Sequence, residues 1–156
     1  MAPGCRTHTL QGAAVAETIR LVAINSAGTE LELEIAAIAG EDSVLTVCGF
    51  EPEPQTFRGN NLFVCLMDLR LNLEAEGYLL CCNGARPDVF PSGTLQQTTH
   101  GRHAYVLSRG RELSDDDIVD ILGPAPRSQV VTVEAQREAV LSFFKIDLAR
   151  PDRNSE

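Results

Sequence analysis

The residues of this chain best equipped for chemistry crowd between Cys81 and His103. Cys81 and Cys82 are adjacent, Asp88 follows, and His100 and His103 close the stretch. A cysteine nucleophile needs a base within reach and an acid to orient that base. Cys81 or Cys82 with His100 or His103 and Asp88 is therefore one reading, a small enzyme. Two arguments oppose it. Neighbours on a strand point to opposite faces, so only one thiol could meet a given histidine. Both also stand in an apolar run, which raises a thiol pKa and makes it inert. Ser92, in Pro91-Ser92-Gly93, lacks the G-x-S-x-G elbow of a hydrolase.

Charge gives the same stretch a second meaning. Residues 83–111 hold Arg86, Arg102, Arg109 and Arg111 against Asp88, a local +3 in a chain of net charge −9. Arg86 and Arg102 can bind a small anion, meet a partner's carboxylates, or pair with the protein's own acids. Elsewhere, Glu30, Glu32 and Glu34 alternate with Leu31, Leu33 and Ile35. They form an acidic row on one strand face, either plain solvated surface or an attraction for a basic partner. Asp115-Asp116-Asp117 cannot chelate one ion from a helix, because consecutive residues point about 100° apart. Helix capping by Ser114 and Asp117 explains them. No P-loop, G-x-G-x-x-G, H-E-x-x-H or EF-hand pattern occurs, so neither cofactor nor metal is expected.

The elements that must position these residues are legible around them. Thr18–Asn25 and Glu30–Ile35 flank a Ser26-Ala27-Gly28-Thr29 turn and predict a hairpin. Ser43–Phe50 predicts a third strand, ended by Pro52 and Pro54. Leu62, Leu66, Leu69 and Leu73 fall on one helical face, widened by Phe63 and Met67, with Asn60 or Asn61 as N-cap and Gly77 as stop. Tyr78–Cys82 predicts a central strand buried on both faces. Nearly twenty aperiodic residues follow, from the Asn83-Gly84 turn to a strand at His103–Ser108. Loops so long are uncommon and tend to be functional or disordered. Val89, Phe90, Leu95 and two prolines suggest one pinned to the body. A short helix is expected from Ser114 to Leu122, and an edge strand or linker at Gln129–Thr132. A last helix should stack Val133, Val140, Leu141, Phe144 and Leu148, closed by Pro151. The order implies α+β: a mostly antiparallel sheet of about five strands with two to three helices on one face. Residues 17–150 are expected as one domain, between a loose arm at 1–16 and a frayed tail at 151–156.

Composition sets the outer limits. A pI near 4.8 disfavours nucleic acid and anionic membranes as partners and permits a basic protein. Five cysteines without zinc or disulfide spacing read as buried reduced thiols of a cytoplasmic protein.

The helix Leu62–Glu76, the run Gly77-Tyr78-Leu79-Leu80-Cys81-Cys82-Asn83-Gly84-Ala85-Arg86, and Asp88-Val89-Phe90-Pro91-Ser92-Gly93 together resemble small bacterial proteins of the toxin-immunity type. Gly101-Arg102-His103-Ala104-Tyr105 fits the same pattern, which spans about the middle third of the chain. The resemblance implies a cytoplasmic binding protein that occludes a cognate toxin domain. It carries over no catalytic residue. Arg86, Asp88, Phe90 and Arg102 are then the expected contact residues, with Glu30, Glu32 and Glu34 as the attracting face.

Overall fold

A computed structural model describes residues 17–108 and 114–148. The expected arm and tail, Cys5, Arg109, Arg111 and Pro151 lie outside the described residues. The fold is α+β. β1 (Glu17–Asn25) and β2 (Glu30–Ile38) form the expected hairpin. Asn25 tightens its turn, its side-chain oxygen accepting from Ala27 N at 3.0 Å and Thr29 N at 2.8 Å. β3 (Ser43–Cys48) follows, then β4 (Gln55–Gly59), α1 (Leu62–Ala75) and β5 (Tyr78–Leu80). These strands make an antiparallel sheet of order β4-β3-β2-β1-β5.

The leucine stripe on α1 is buried as its spacing requires. Leu62, Leu66, Leu69 and Leu73 are each 0% exposed, against Leu33, Ile35, Leu45 and Val47 of the sheet. Each such side chain contributes roughly 1.5–3 kcal/mol of transfer free energy. Asn61 caps the helix, its side chain accepting from Val64 N. Gly77, at φ +90°, stops it.

A second antiparallel sheet joins β6 (Val89–Phe90), β7 (His103–Val106) and β8 (Ile118–Asp120) in that order. α2 (Gly93–Thr98) lies between β6 and β7, and α3 (Val133–Leu148) closes the described chain.

Five expectations change. The third strand does end before Pro52 and Pro54, but the chain pairs again beyond them as β4, which was not expected; its only inward apolar side chain is Phe57, too little for a readable pattern. β5 is an edge of its sheet, not a central strand. Its continuation is buried because Cys82 bridges to Pro124 and Asn83 N donates to Gly123 O at 2.8 Å. Residues 83–102 are not an irregular loop but a 3-10 turn (Asn83–Ala85), β6 and α2. Ser114 does open a capping box with Asp117, yet the helix lasts only Asp115–Asp117. β-branched Ile118 and Val119 then pair with β7 as β8. Of the two readings of 129–132 the linker holds: a 3-10 turn (Arg127–Gln129) runs into extended chain, with no edge strand. On α3, Val133 and Val140 are buried, but Leu141 is 56% and Phe144 40% exposed; the Leu148 side chain lies outside the described residues.

Candidate functional site

The 83–102 segment is held by polar groups inside the core. Arg70 of α1 is 1% exposed. Its Nη1 donates to Gly84 O at 3.2 Å and to Gln136 Oε1 at 2.5 Å, and its Nη2 to Val131 O at 2.9 Å. The Gln136 amide donates to Gly84 O and Arg86 O, both at 2.8 Å, and to Val89 O at 3.1 Å. Glu74 is the nearest carboxylate, 4.0 Å from Nη2, and accepts from Val133 N at 3.0 Å. Burial depresses the Arg70 pKa and raises that of Glu74, opposed there by the Val133 N–H and then by Arg70. One arginine and one glutamine thus tie α1, the 84–89 backbone and α3 together. Sequence reasoning passed over both, although each stands among the apolar stripe positions of its helix.

The far end of the segment docks on the start of α1. Leu62 N donates to His100 O at 2.7 Å, with His100 at φ +52° and Gly101 at φ +79°. A Cβ on Gly101 would stand 2.8 Å from Asn61 Oδ1 and 2.9 Å from Phe63 N, so the close approach requires glycine. His100 therefore serves as a turn residue here.

Both arginines of the segment are paired within the chain. Arg86 grips Asp88 through Nε–Oδ1 at 3.1 Å and Nη2–Oδ2 at 2.9 Å. Arg102 grips Asp120 at 2.6 and 2.9 Å and Glu17 at 2.7 and 3.2 Å. Hydrogen bonds from Arg102 hold the Glu17 carboxyl below its ordinary range. They do the same for Asp120, overcoming its burial, while the two carboxylates raise the Arg102 pKa. Arg102 thus clamps the start of β1 to β8.

Phe90 is half-buried and meets Phe63 edge-on, ring centres 5.7 Å apart. It borders a groove of about 240 Å³ between α1 and α3, lined also by Met67, Val133, Val140 and Leu141. Phe90 lines this groove; Arg86 and Asp88 do not, nor do Glu30, Glu32 and Glu34. Their apolar alternates Leu33 and Ile35 face α1, so the acidic row lies on the opposite, outer face of the sheet, in register with Ile24, Val22 and Arg20.

The thiols are poor nucleophiles. Cys82 is fully buried and its pKa is pushed up to about 12; burial takes Cys65 to about 11 and raises Cys81 as well. No hydrogen bond among the described residues joins a cysteine to His100 or His103. His103 Nδ1 is buried without a partner there. Cys65, Cys81 and Cys82 are free, but Cys48 is disulfide-bonded, which corrects the expectation of five reduced thiols. Among the described residues no group of His, Cys, Asp or Glu could hold a metal, and no helix is long and apolar enough to cross a membrane.

No protein-family model matches the sequence, and no curated protein matches it either.

Proposed function

We propose that this is an immunity-type binding protein that neutralises a cognate bacterial toxin by covering its catalytic domain. The observation that carries the reading is the position of Phe90. It is a half-buried aromatic at the edge of an apolar groove, on a segment braced from beneath by Arg70 and Gln136. Rigid aromatic anchors beside apolar pockets dominate binding energy in protein interfaces. Leu141 extends the apolar surface, and Gln136 and Arg137 supply the polar part of the lining. The partner is a basic protein, drawn by the net charge of −9. With Glu30, Glu32 and Glu34 on the far face, the acidic row contributes to long-range attraction rather than to the Phe90 contact. Arg102, held by two carboxylates, contributes shape. Neither nucleic acid nor membrane is part of this reading.

Cytoplasmic location belongs to the same proposal. The disulfide at Cys48 counts against it, since such bonds persist chiefly in oxidising compartments. The alternative, a small enzyme or anion binder using residues 83–102 with a Cys/His pair, is less well supported. It needs a thiolate where burial disfavours one.

The test is growth rescue. This chain is co-expressed with the toxin-like domain encoded beside it, and then with Phe90, Arg86, Glu30 and Glu32 all changed to alanine. Rescue by the parent and its loss in the variant support the reading. Undiminished rescue by the variant, or a neighbour without toxicity, overturns it.

A further inference from the structure

Cys48 is disulfide-bonded, while Cys65, Cys81 and Cys82 are free. The chain has five cysteines, so Cys5 is the one left to Cys48 within it. Cys48 also differs from the free thiols in its setting. They belong to the buried core. Cys48 is half-buried at the end of β3, on the outward side opposite Leu45 and Val47. It stands beside Glu34, and Arg20 flanks Glu34 from the other strand. Gly49, at φ +110°, rests against the Glu32 backbone, and exposed Glu51 and Glu53 follow.

The chain before β1 is long enough to reach this point. β1 begins at Glu17, beside Ala37; Cys48 lies beside Glu34, three residues along β2 and one strand further. Those offsets come to about 10 Å along the strands and about 10 Å across them. Residues 6–16 can span up to roughly 35–40 Å. Charge favours the same placement. Residues 1–16 contain Arg6 and no carboxylate. The outer face carries Glu30, Glu32 and Glu34, with Glu51 and Glu53 just beyond Cys48. Against them stand Arg20 and, beside Glu30, Arg127; Arg58 is taken by Asp42. The region is therefore net acidic.

We propose that Cys5 and Cys48 form a reversible disulfide latch, which holds residues 1–16 over the acidic outer face of the sheet when oxidised and releases them when reduced. The bond lies outside the core that α1 and the sheet close between them, and exposed disulfides are the ones that exchange. Closing takes a small disulfide, such as glutathione disulfide, as the oxidant. One protein thiolate attacks it, forms a mixed disulfide and expels one thiolate. The second protein thiolate attacks the protein sulfur of that bond and expels the other. The two cysteines lose two protons and two electrons, and the reagent leaves as two thiols. Once closed, the bond keeps Arg6 near the glutamates at high effective concentration, so weak charge pairing suffices to seat the arm. The latch and the Phe90 groove lie on opposite faces of the sheet. That closure hides carboxylates from a basic partner is the one consequence resting on the immunity reading; the test needs no toxin.

The whole protein is equilibrated with glutathione disulfide, its free thiols are blocked with iodoacetamide, and it is digested without reduction. The Cys5 and Cys48 peptides should appear linked, and should separate, both alkylated, after equilibration with excess reduced glutathione. Linkage of Cys48 to Cys65, Cys81 or Cys82, a dimer on a non-reducing gel, or no linkage at all overturns the assignment. The arm's position is read by carboxyl footprinting with a water-soluble carbodiimide and glycine ethyl ester. Glu32 and Glu34 should label severalfold more slowly in the oxidised protein than in the reduced protein or in C5S. R6Q should keep the bond and narrow that difference. Circular dichroism should show reduced protein and C5S still folded, with melting temperatures lowered by several degrees, because the bond restricts the unfolded chain. Equal labelling of oxidised and reduced protein removes the cover, and unfolding on reduction makes the bond structural rather than a latch. Either result overturns the proposal.

Discussion

Arg70 Nη1 and Gln136 Oε1 meet 2.5 Å apart inside the core, with the two residues 1% and 3% exposed. Three separate chain segments depend on that pair: α1, the 84–89 backbone and α3. A buried arginine is costly to desolvate and is tolerated when its donors find acceptors. Here two backbone carbonyls and an amide oxygen supply them, while Nε has none among the described residues.

Truncating Arg70 strands its acceptors in the core. Arg70→Ala should destabilise by about 3–5 kcal/mol, the range for breaking a buried charged network. Replacing both partners with apolar side chains, as R70M/Q136M, should cost clearly less than the two single changes summed. Urea unfolding of the four proteins measures the coupling. Simple additivity would mean that the pair acts as two independent contacts.

How far this was legible from sequence follows from particular residues. The α1 leucines recur at helical spacing, so their burial could be read directly. Arg70 was equally readable, a cation four residues after Leu66 on the same face, but a lone charge in an apolar stripe does not name its acceptors. Those come from Gly84 and Val131, carbonyls set by tertiary packing. The 83–102 segment hid its structure for a similar reason. β6 is two residues long and α2 six, both too short to show a period. Arg102 could be seen as a cation in a turn, yet its partners Glu17 and Asp120 are distant in sequence and meet only once the two sheets are formed.

The Arg102 clamp predicts a specific acid response. Glu17 and Asp120 have folded pKa values below their ordinary 4.5 and 3.8. A depressed carboxylate stabilises above its unfolded pKa and loses that contribution as pH falls through the folded value. The clamp's stability should therefore be complete above about pH 4.5 and fade below it. Glu74, raised by burial, acts in the opposite sense, so comparison with Arg102→Gln isolates the clamp. That variant should show a shallower loss of stability on acidification, followed by thermal melts between neutral and acidic pH. Parallel curves for parent and variant would remove the clamp from the account.

Thiol chemistry separates the binding reading from the enzyme one. Cys65 and Cys82, with pKa values near 11 and 12, should resist Ellman's reagent at neutral pH in the folded protein and react fast once it unfolds. Cys81, at the wall of a cleft, should be the quickest of the three. Peptide mapping of the labelled sites checks the order. Rapid labelling of Cys82 at pH 6, an acidity chosen to expose a low-pKa thiol, would revive the nucleophile.

Gly101 tests how closely residues 99–102 must approach α1. Its φ is +79°, and a Cβ there would come within 2.8 Å of Asn61 Oδ1, which leaves no room for alanine. Gly101→Ala should cost about 2 kcal/mol, combining left-handed strain with loss of the Leu62–His100 contact. Hydrogen exchange should show the Leu62 amide losing protection first. Gly93, where a Cβ would meet nothing, is the control and should tolerate alanine.

Phe90 and Leu141 decide whether the groove is a docking surface. Leu141 is 56% exposed, so Leu141→Ala should change stability by no more than about 0.5 kcal/mol. Phe90→Ala removes a half-buried ring and its edge-on contact with Phe63, and should cost about 1–2 kcal/mol. Val140→Ala, in the buried wall of the same groove, should also destabilise, through a cavity. If the groove only completes the core, growth rescue should track stability, and Leu141→Ala should behave as the parent. If it receives a partner, Leu141→Ala should weaken rescue with its melting temperature unchanged. Loss at both Phe90 and Leu141 without matching loss of stability in Leu141→Ala is the expected result. Rescue that follows melting temperature across all three variants would place the docking surface elsewhere.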